Sequence, residues 1–136
     1  MLVDKGPEVN AQGGHYDNAL QAACYKGRRD IAEMLVDEGA DVNAQGGRYG
    51  SALQAACCRG HRDIAKMLVD EGADVNAQGG HYGSALQAAC DEGHIEVAKM
   101  LLDRGADVNA QGGHYGSSLS AASASGRDEV VQLLLD

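Results

Sequence analysis

The chain contains no tryptophan, no phenylalanine and one proline, and its five tyrosines leave aromatics at only 4% of 136 residues. Large rings normally supply much of the buried area of a globular core. Here Ala, Leu, Val, Ile and Met must supply it, which implies thin, closely packed layers rather than one thick centre. Basic residues are also scarce, 11 Lys and Arg against 20 Asp and Glu, for a formal net charge of −9. That balance argues against a nucleic-acid backbone or an anionic membrane as partner, since both call for clustered cations. No apolar run reaches the length of a membrane span, and the opening MLVDKGPEVN lacks the apolar stretch of a secretory signal. Four cysteines are present, but their placement does not suggest a disulfide framework. A reducing, cytoplasmic setting is expected, and the length fits a single domain spanning 1–136.

Glycine is abundant, with 19 residues, and it recurs with a period. The string VNAQGG begins at Val9, Val42, Val75 and Val108, a spacing of 33 residues each time. Residues 42–74 and 75–107 differ at eight of 33 positions, closer self-similarity than an ordinary globular domain shows. Met1-Leu2-Val3-Asp4 matches Met67-Leu68-Val69-Asp70. The expected organisation is a remnant at 1–8 followed by repeats at 9–41, 42–74, 75–107 and 108–136.

Within one repeat, Gln45-Gly46-Gly47-Arg48-Tyr49-Gly50 reads as a turn or hairpin tip. Ser51-Ala52-Leu53-Gln54 has the form of a capping box: the Ser hydroxyl accepts from the backbone three residues on, and the Gln side chain reaches back to the Ser N–H. Ser84-Ala85-Leu86-Gln87 repeats it, and Asn18 keeps a good cap. The first helix puts Leu53, Ala56 and Cys57 on one face, and Gly60 ends it. The second helix starts near Arg62-Asp63, buries Ile64, Met67 and Leu68, and stops at Gly72 in a left-handed cap. Helices this short are marginal alone, so stacked neighbours must complete the core.

These residues resemble the ankyrin repeat, on the 33-residue spacing, on Leu53–His61 and Leu86–His94, and on Leu68–Ala77 and Leu101–Ala110. The resemblance implies an all-α repeat solenoid, each unit a β-hairpin tip plus two antiparallel helices. The Thr-Pro-Leu-His usual in that family stands here as Ser-Ala-Leu-Gln, with Tyr where the hairpin glycine is usual. The variant Gly-Gly-x-Tyr-Gly-Ser-Ala-Leu-Gln-Ala-Ala is similar to ankyrin arrays of fungal NACHT-type, NLR-like receptors.

Of the eight differences, three are mild; Arg48/His81, Cys58/Asp91, Arg59/Glu92, Arg62/Ile95 and Glu71/Arg104 change chemistry. The resemblance implies a concave partner-binding surface lined by hairpin tips and first-helix ends. It carries over to His15, Arg48, His81 and His114 at the tips, and to Tyr25-Lys26, Cys58-Arg59, Asp91-Glu92 and Ala124-Ser125 on the helices. Such a groove runs from basic to acidic. The competing reading is neutral drift on an exposed surface. Tyr16, Tyr49, Tyr82 and Tyr115 form a second register, either as contact area for a partner or as rings packed over the hairpins, and packing is favoured.

Catalytic and metal chemistry find little support. Cys24, Cys57 and Cys90 share one repeat position, where stacked helices about 8–10 Å apart exceed the reach of a disulfide, so reduced core thiols are expected. Cys58 points elsewhere and reads as the one exposed thiol. Cys57-x3-His61 and Cys90-x3-His94 provide two ligands per repeat where structural zinc takes four; the histidines are expected to support the turn into the second helix. The Gly-rich tip lacks the Lys-Ser/Thr of a phosphate loop, and Asp91, Glu92 and Glu96 read as a solvated acidic face. The expected protein is therefore a binding scaffold, with no enzyme activity, cofactor or metal. Self-association is the alternative, through the end faces of Leu2 and Val3, and of Val131, Leu134 and Leu135.

Overall fold

The computed structural model describes residues 8–14 and 16–136; Met1-Leu2-Val3-Asp4 and His15 lie outside them. Four helix pairs follow one another: α1 (Ala19–Lys26) and α2 (Arg29–Asp37), α3 (Ala52–Cys58) and α4 (Arg62–Asp70), α5 (Ala85–Glu92) and α6 (Ile95–Asp103), α7 (Ser118–Ala124) and α8 (Asp128–Leu135). Short strands β1 (Gln111–Gly112) and β2 (Gly116–Ser117) pair antiparallel at the last tip. Single antiparallel bridges, Gly46 to Gly50 and Gly79 to Gly83, close the two tips before it.

Each first helix starts at an extended residue whose side chain accepts from the backbone N–H three residues on: Asn18, Ser51, Ser84 and Ser117. Half of the expected capping box is thus formed. The other half is replaced, because the glutamine turns away from its own helix. Gln21, Gln54 and Gln87 donate Nε2 to Gly46, Gly79 and Gly112 of the following tip, at 3.1, 2.8 and 2.7 Å. An amide is long enough to span to the next hairpin and bond a carbonyl there. Their Oε1 atoms are buried without a hydrogen-bond partner.

The second helices end in a Schellman motif: Ala73 donates to the Leu68 carbonyl at 2.9 Å and Gly72 to Val69 at 3.0 Å. The first helices close in the same way, with Gly93 at φ 76° and His94 donating to Ala89 at 2.9 Å.

The core is one continuous seam of small layers. Leu20, Leu53 and Leu86, Cys24, Cys57 and Cys90, and Ala32, Ala65 and Ala98 are all buried. From the second helices Ile64, Leu68, Val97 and Leu101 complete it, while Met67 is only half-buried. Consecutive first helices approach more closely than consecutive second helices, so the stack bends toward the side of α1, α3, α5 and α7.

Neighbouring repeats are also joined by hydrogen bonds. His81 N–H donates to the Arg48 carbonyl at 2.8 Å, and His114 N–H to that of His81 at 2.9 Å. On the far edge, Asn43 donates to the Gly72 carbonyl at 3.0 Å and accepts from Asp74 N–H at 2.7 Å; Asn76 does the same with Gly105 and Asp107.

Candidate functional site

The expected contact residues fall on the side toward which the array bends, and they differ in exposure. Lys26, Arg48, Arg59, His114 and Ala124 are exposed, whereas Tyr25, His81, Asp91, Glu92 and Ser125 are half-buried. His15 is outside the described residues. Cys58 corrects the expectation of an exposed thiol. It is 4% exposed, enclosed with Tyr49, Ala55 and Ala88, and its Sγ donates to the Ala55 carbonyl at 3.3 Å. Local sequence gave Cys58 no partner, because the wall that buries it comes from the tip and from the next first helix. Burial, with the Glu92 charge adding to it, pushes the thiol up to about 12. Burial alone raises Cys24 equally, to about 12.

The tyrosine register is a packed layer in its central part. Tyr49 is buried, with Tyr16 and Tyr25 against it at ring-centroid distances of 6.1 and 4.6 Å, and Tyr16 lies 5.3 Å from Tyr25. Arg59 places its guanidinium carbon 5.0 Å above the Tyr25 ring, and Lys26 Nζ is 5.9 Å from the same centroid. One repeat further on, the Tyr82 hydroxyl donates to Glu92 Oε2 at 2.9 Å. Burial and this bond to an anion raise the phenol above its usual range. Ser125 donates to Asp91 Oδ1 at 2.5 Å. Tyr115, at the last tip, is exposed. The rings of His81 and His114 stack with centroids 5.2 Å apart and planes 18° from parallel.

His61 and His94 do more than support the turn that follows them. Each lies 3.1 Å, through Nε2, from a carbonyl of the first helix one repeat earlier, that of Tyr25 or Cys58. Arg127 occupies the equivalent place and donates to the Asp91 carbonyl at 3.1 Å. The substitution of Arg for His at one identical position was the available sequence signal: both types can donate across a repeat boundary.

Among the described residues no group of three His, Cys, Asp or Glu side chains converges as a metal site would require. A shallow cleft of about 410 Å³ lies between the starts of α2 and α4, lined by Gly27, Arg29, Gly60, His61, Arg62, Asp63 and Ile64. Among its lining residues are no cysteine and no pair of carboxylates. Within the described residues no helix is long and apolar enough to cross a membrane.

A bent stack of hairpin-tipped helix pairs, each packed against its neighbours, defines a repeat solenoid. The family description Ankyrin repeats (3 copies) matches residues 1–79, 46–112 and 82–136, and the chain belongs to the ankyrin-repeat family. No curated protein matches it. Ankyrin repeats are in general mediators of protein–protein interaction and in general not enzymes.

Proposed function

We propose that the chain is a protein-interaction scaffold that holds its partner on the face of hairpin tips and first-helix ends. The supporting observation is the contrast between backbone and side chain there. Stacked tips share one hydrogen-bonded backbone, while Arg48, His81 and His114 at the tip position, and Lys26, Arg59, Glu92 and Ser125 at the helix ends, vary in chemistry and stay at least partly in solvent. His15 completes the tip series and Tyr25, Asp91 and Ala124 the helix series, whereas Cys58, at the same helix position as Asp91, is enclosed beneath the surface. Such a surface offers a fixed frame with exchangeable side chains, which suits recognition. The partner is a protein met inside the cell, in the cytoplasm.

The test is selection of binders from an unbiased displayed-peptide library. Arg48→Glu and Arg59→Glu are expected to weaken the selected binders about tenfold, while Lys66→Glu and Lys99→Glu, on the second helices, leave them unchanged. Equal losses on both sides would remove this reading.

A second reading is self-association within a longer receptor. Ile31 and Met34 at one end are 48% and 61% exposed, and Leu119 and Leu135 at the other 39% and 65%, although the equivalent Ile64 and Leu86 are 3% and 1% exposed. Faces of this kind accept a further repeat or a second copy. The Gly-Gly-x-Tyr-Gly-Ser-Ala-Leu-Gln-Ala-Ala variant supports placing the array in a fungal NACHT-type receptor. Sedimentation at rising concentration tests the association, and a strict monomer counts against it.

A further inference from the structure

The geometry points to a partner segment of defined charge pattern: an extended peptide carrying two carboxylates spaced three residues apart and, three residues beyond the second, a lysine or arginine. This rests on the tip-and-first-helix reading above and specifies the chemistry of what binds there.

Among the described residues, the cations of the second helices and the turn after α6 are internally matched, Arg62 excepted. Arg29 pairs with Glu33 and Asp63, Lys66 and Arg104 with Asp70, and Lys99 with Glu96. On the opposite side Lys26, Arg48 and Arg59 are exposed, and no described carboxylate lies within 4.0 Å of them. Arg59 and Lys26 both lie over the Tyr25 ring, whose attraction for cations holds the two charges at one place on the surface. In a chain of net charge −9, acidic side chains are plentiful, yet no described one pairs with this strip. One layer further on the sign reverses. Glu92 and Asp91 accept from the neutral hydroxyls of Tyr82 and Ser125, and no described cation pairs with either carboxylate.

The spacing follows from the stack. Lys26, Arg59 and Glu92 occupy one repeat position at intervals of 33 residues, and stacked helices lie about 8–10 Å apart. A peptide extended as polyproline II has three residues per turn and advances about 3.1 Å per residue, so side chains three apart share one face and step from one layer to the next. The complementary pattern is acid-x-x-acid-x-x-base, in one of the two chain directions. A nucleic acid would have to carry its phosphates past Asp91 and Glu92, against their charge.

The probes are labelled Glu-Ala-Ser-Glu-Ala-Ser-Lys, its reversed sequence, versions with all three charged positions Glu or all three Lys, and a short oligo-uridine, read by fluorescence anisotropy. One of the two charge-split peptides is expected to bind about tenfold tighter than either uniform peptide and to weaken with salt. Arg59→Glu is expected to abolish that preference, Glu92→Arg to shift it toward the all-Glu peptide, and Lys66→Glu to leave it intact. Equal affinities, tightest binding of the all-Lys peptide or of oligo-uridine, or no saturable binding by any probe would overturn the proposal. Library binders that depend on Arg48 and Arg59 but lack the pattern would overturn it alone and leave the face reading standing.

Discussion

The Nε2 of His94 lies 3.1 Å from the backbone carbonyl of Cys58, 36 residues earlier in the chain. A carbonyl only accepts, so this ring nitrogen carries the proton and donates. The bond ties the start of α6 to the end of α3, the first helix of the repeat before. Removing it in His94→Ala is expected to cost about 1 kcal/mol, measured by urea denaturation. His94→Arg should recover most of that loss, because Arg127 makes the same contact with Asp91. No recovery with arginine would show that ring packing, not donation, holds the joint.

Gly80 stands at φ +70°, and a Cβ there would meet the Tyr49 carbonyl carbon at 2.6 Å. That neighbour is backbone and cannot turn aside. Gly72 also has positive φ, at +99°, but faces open space. Gly80→Ala should therefore destabilise more than Gly72→Ala, by about 1–3 kcal/mol beyond it. Comparable melting temperatures for the two variants would contradict the close approach of the tips.

Gln54 spans two repeats through Nε2 while its Oε1 is buried without a partner. Gln54→Ala leaves the Gly79 carbonyl without its side-chain donor as well as opening space, at a cost of about 1–3 kcal/mol. Gln54→Met keeps the volume and removes the unpartnered oxygen, so it should lose less. Chemical denaturation of both variants decides the order.

All four thiols are buried, and a thiol-specific disulfide reagent at mildly alkaline pH should find none until the chain unfolds. Burial moves Cys24, Cys58 and Cys90 from an ordinary value near 9 to about 12. Below about 9 folded and unfolded thiols are both protonated, and stability is unaffected. Between about 9 and about 12 the unfolded chain gives up protons that the folded chain keeps, so stability falls as pH rises. Replacing these three cysteines by alanine should flatten that alkaline decline in the urea midpoint. An unchanged slope would assign it to other groups.

The period, the helix pairs, the caps at Ser51 and Ser84 and the buried leucines were legible in the sequence, because each is set within one repeat by spacing or by a local hydrogen bond. What was illegible crosses repeat boundaries. Gln54 reads as half of a capping box when its neighbours in sequence are its only candidates, and Cys58 reads as exposed when the next first helix is left out. A signal for Gln54 was present: the last repeat carries Ser120 at that position, where no further described tip follows for a long amide to reach. Of the candidate site, the residue positions were readable from the internal comparison. The absence of ion-pair partners for Lys26, Arg48 and Arg59 among the described residues was not, since pairing depends on which layer each side chain faces.

The tips at Arg48, His81 and His114 are clasped to one another by main-chain bonds, so they move as teeth of a single comb. A ligand that seats on one tooth finds the others already aligned and surrenders little freedom of the scaffold to engage them. Changing a tooth's side chain would then retune what is held without loosening the grip, and each added repeat would lengthen the comb by one reading position.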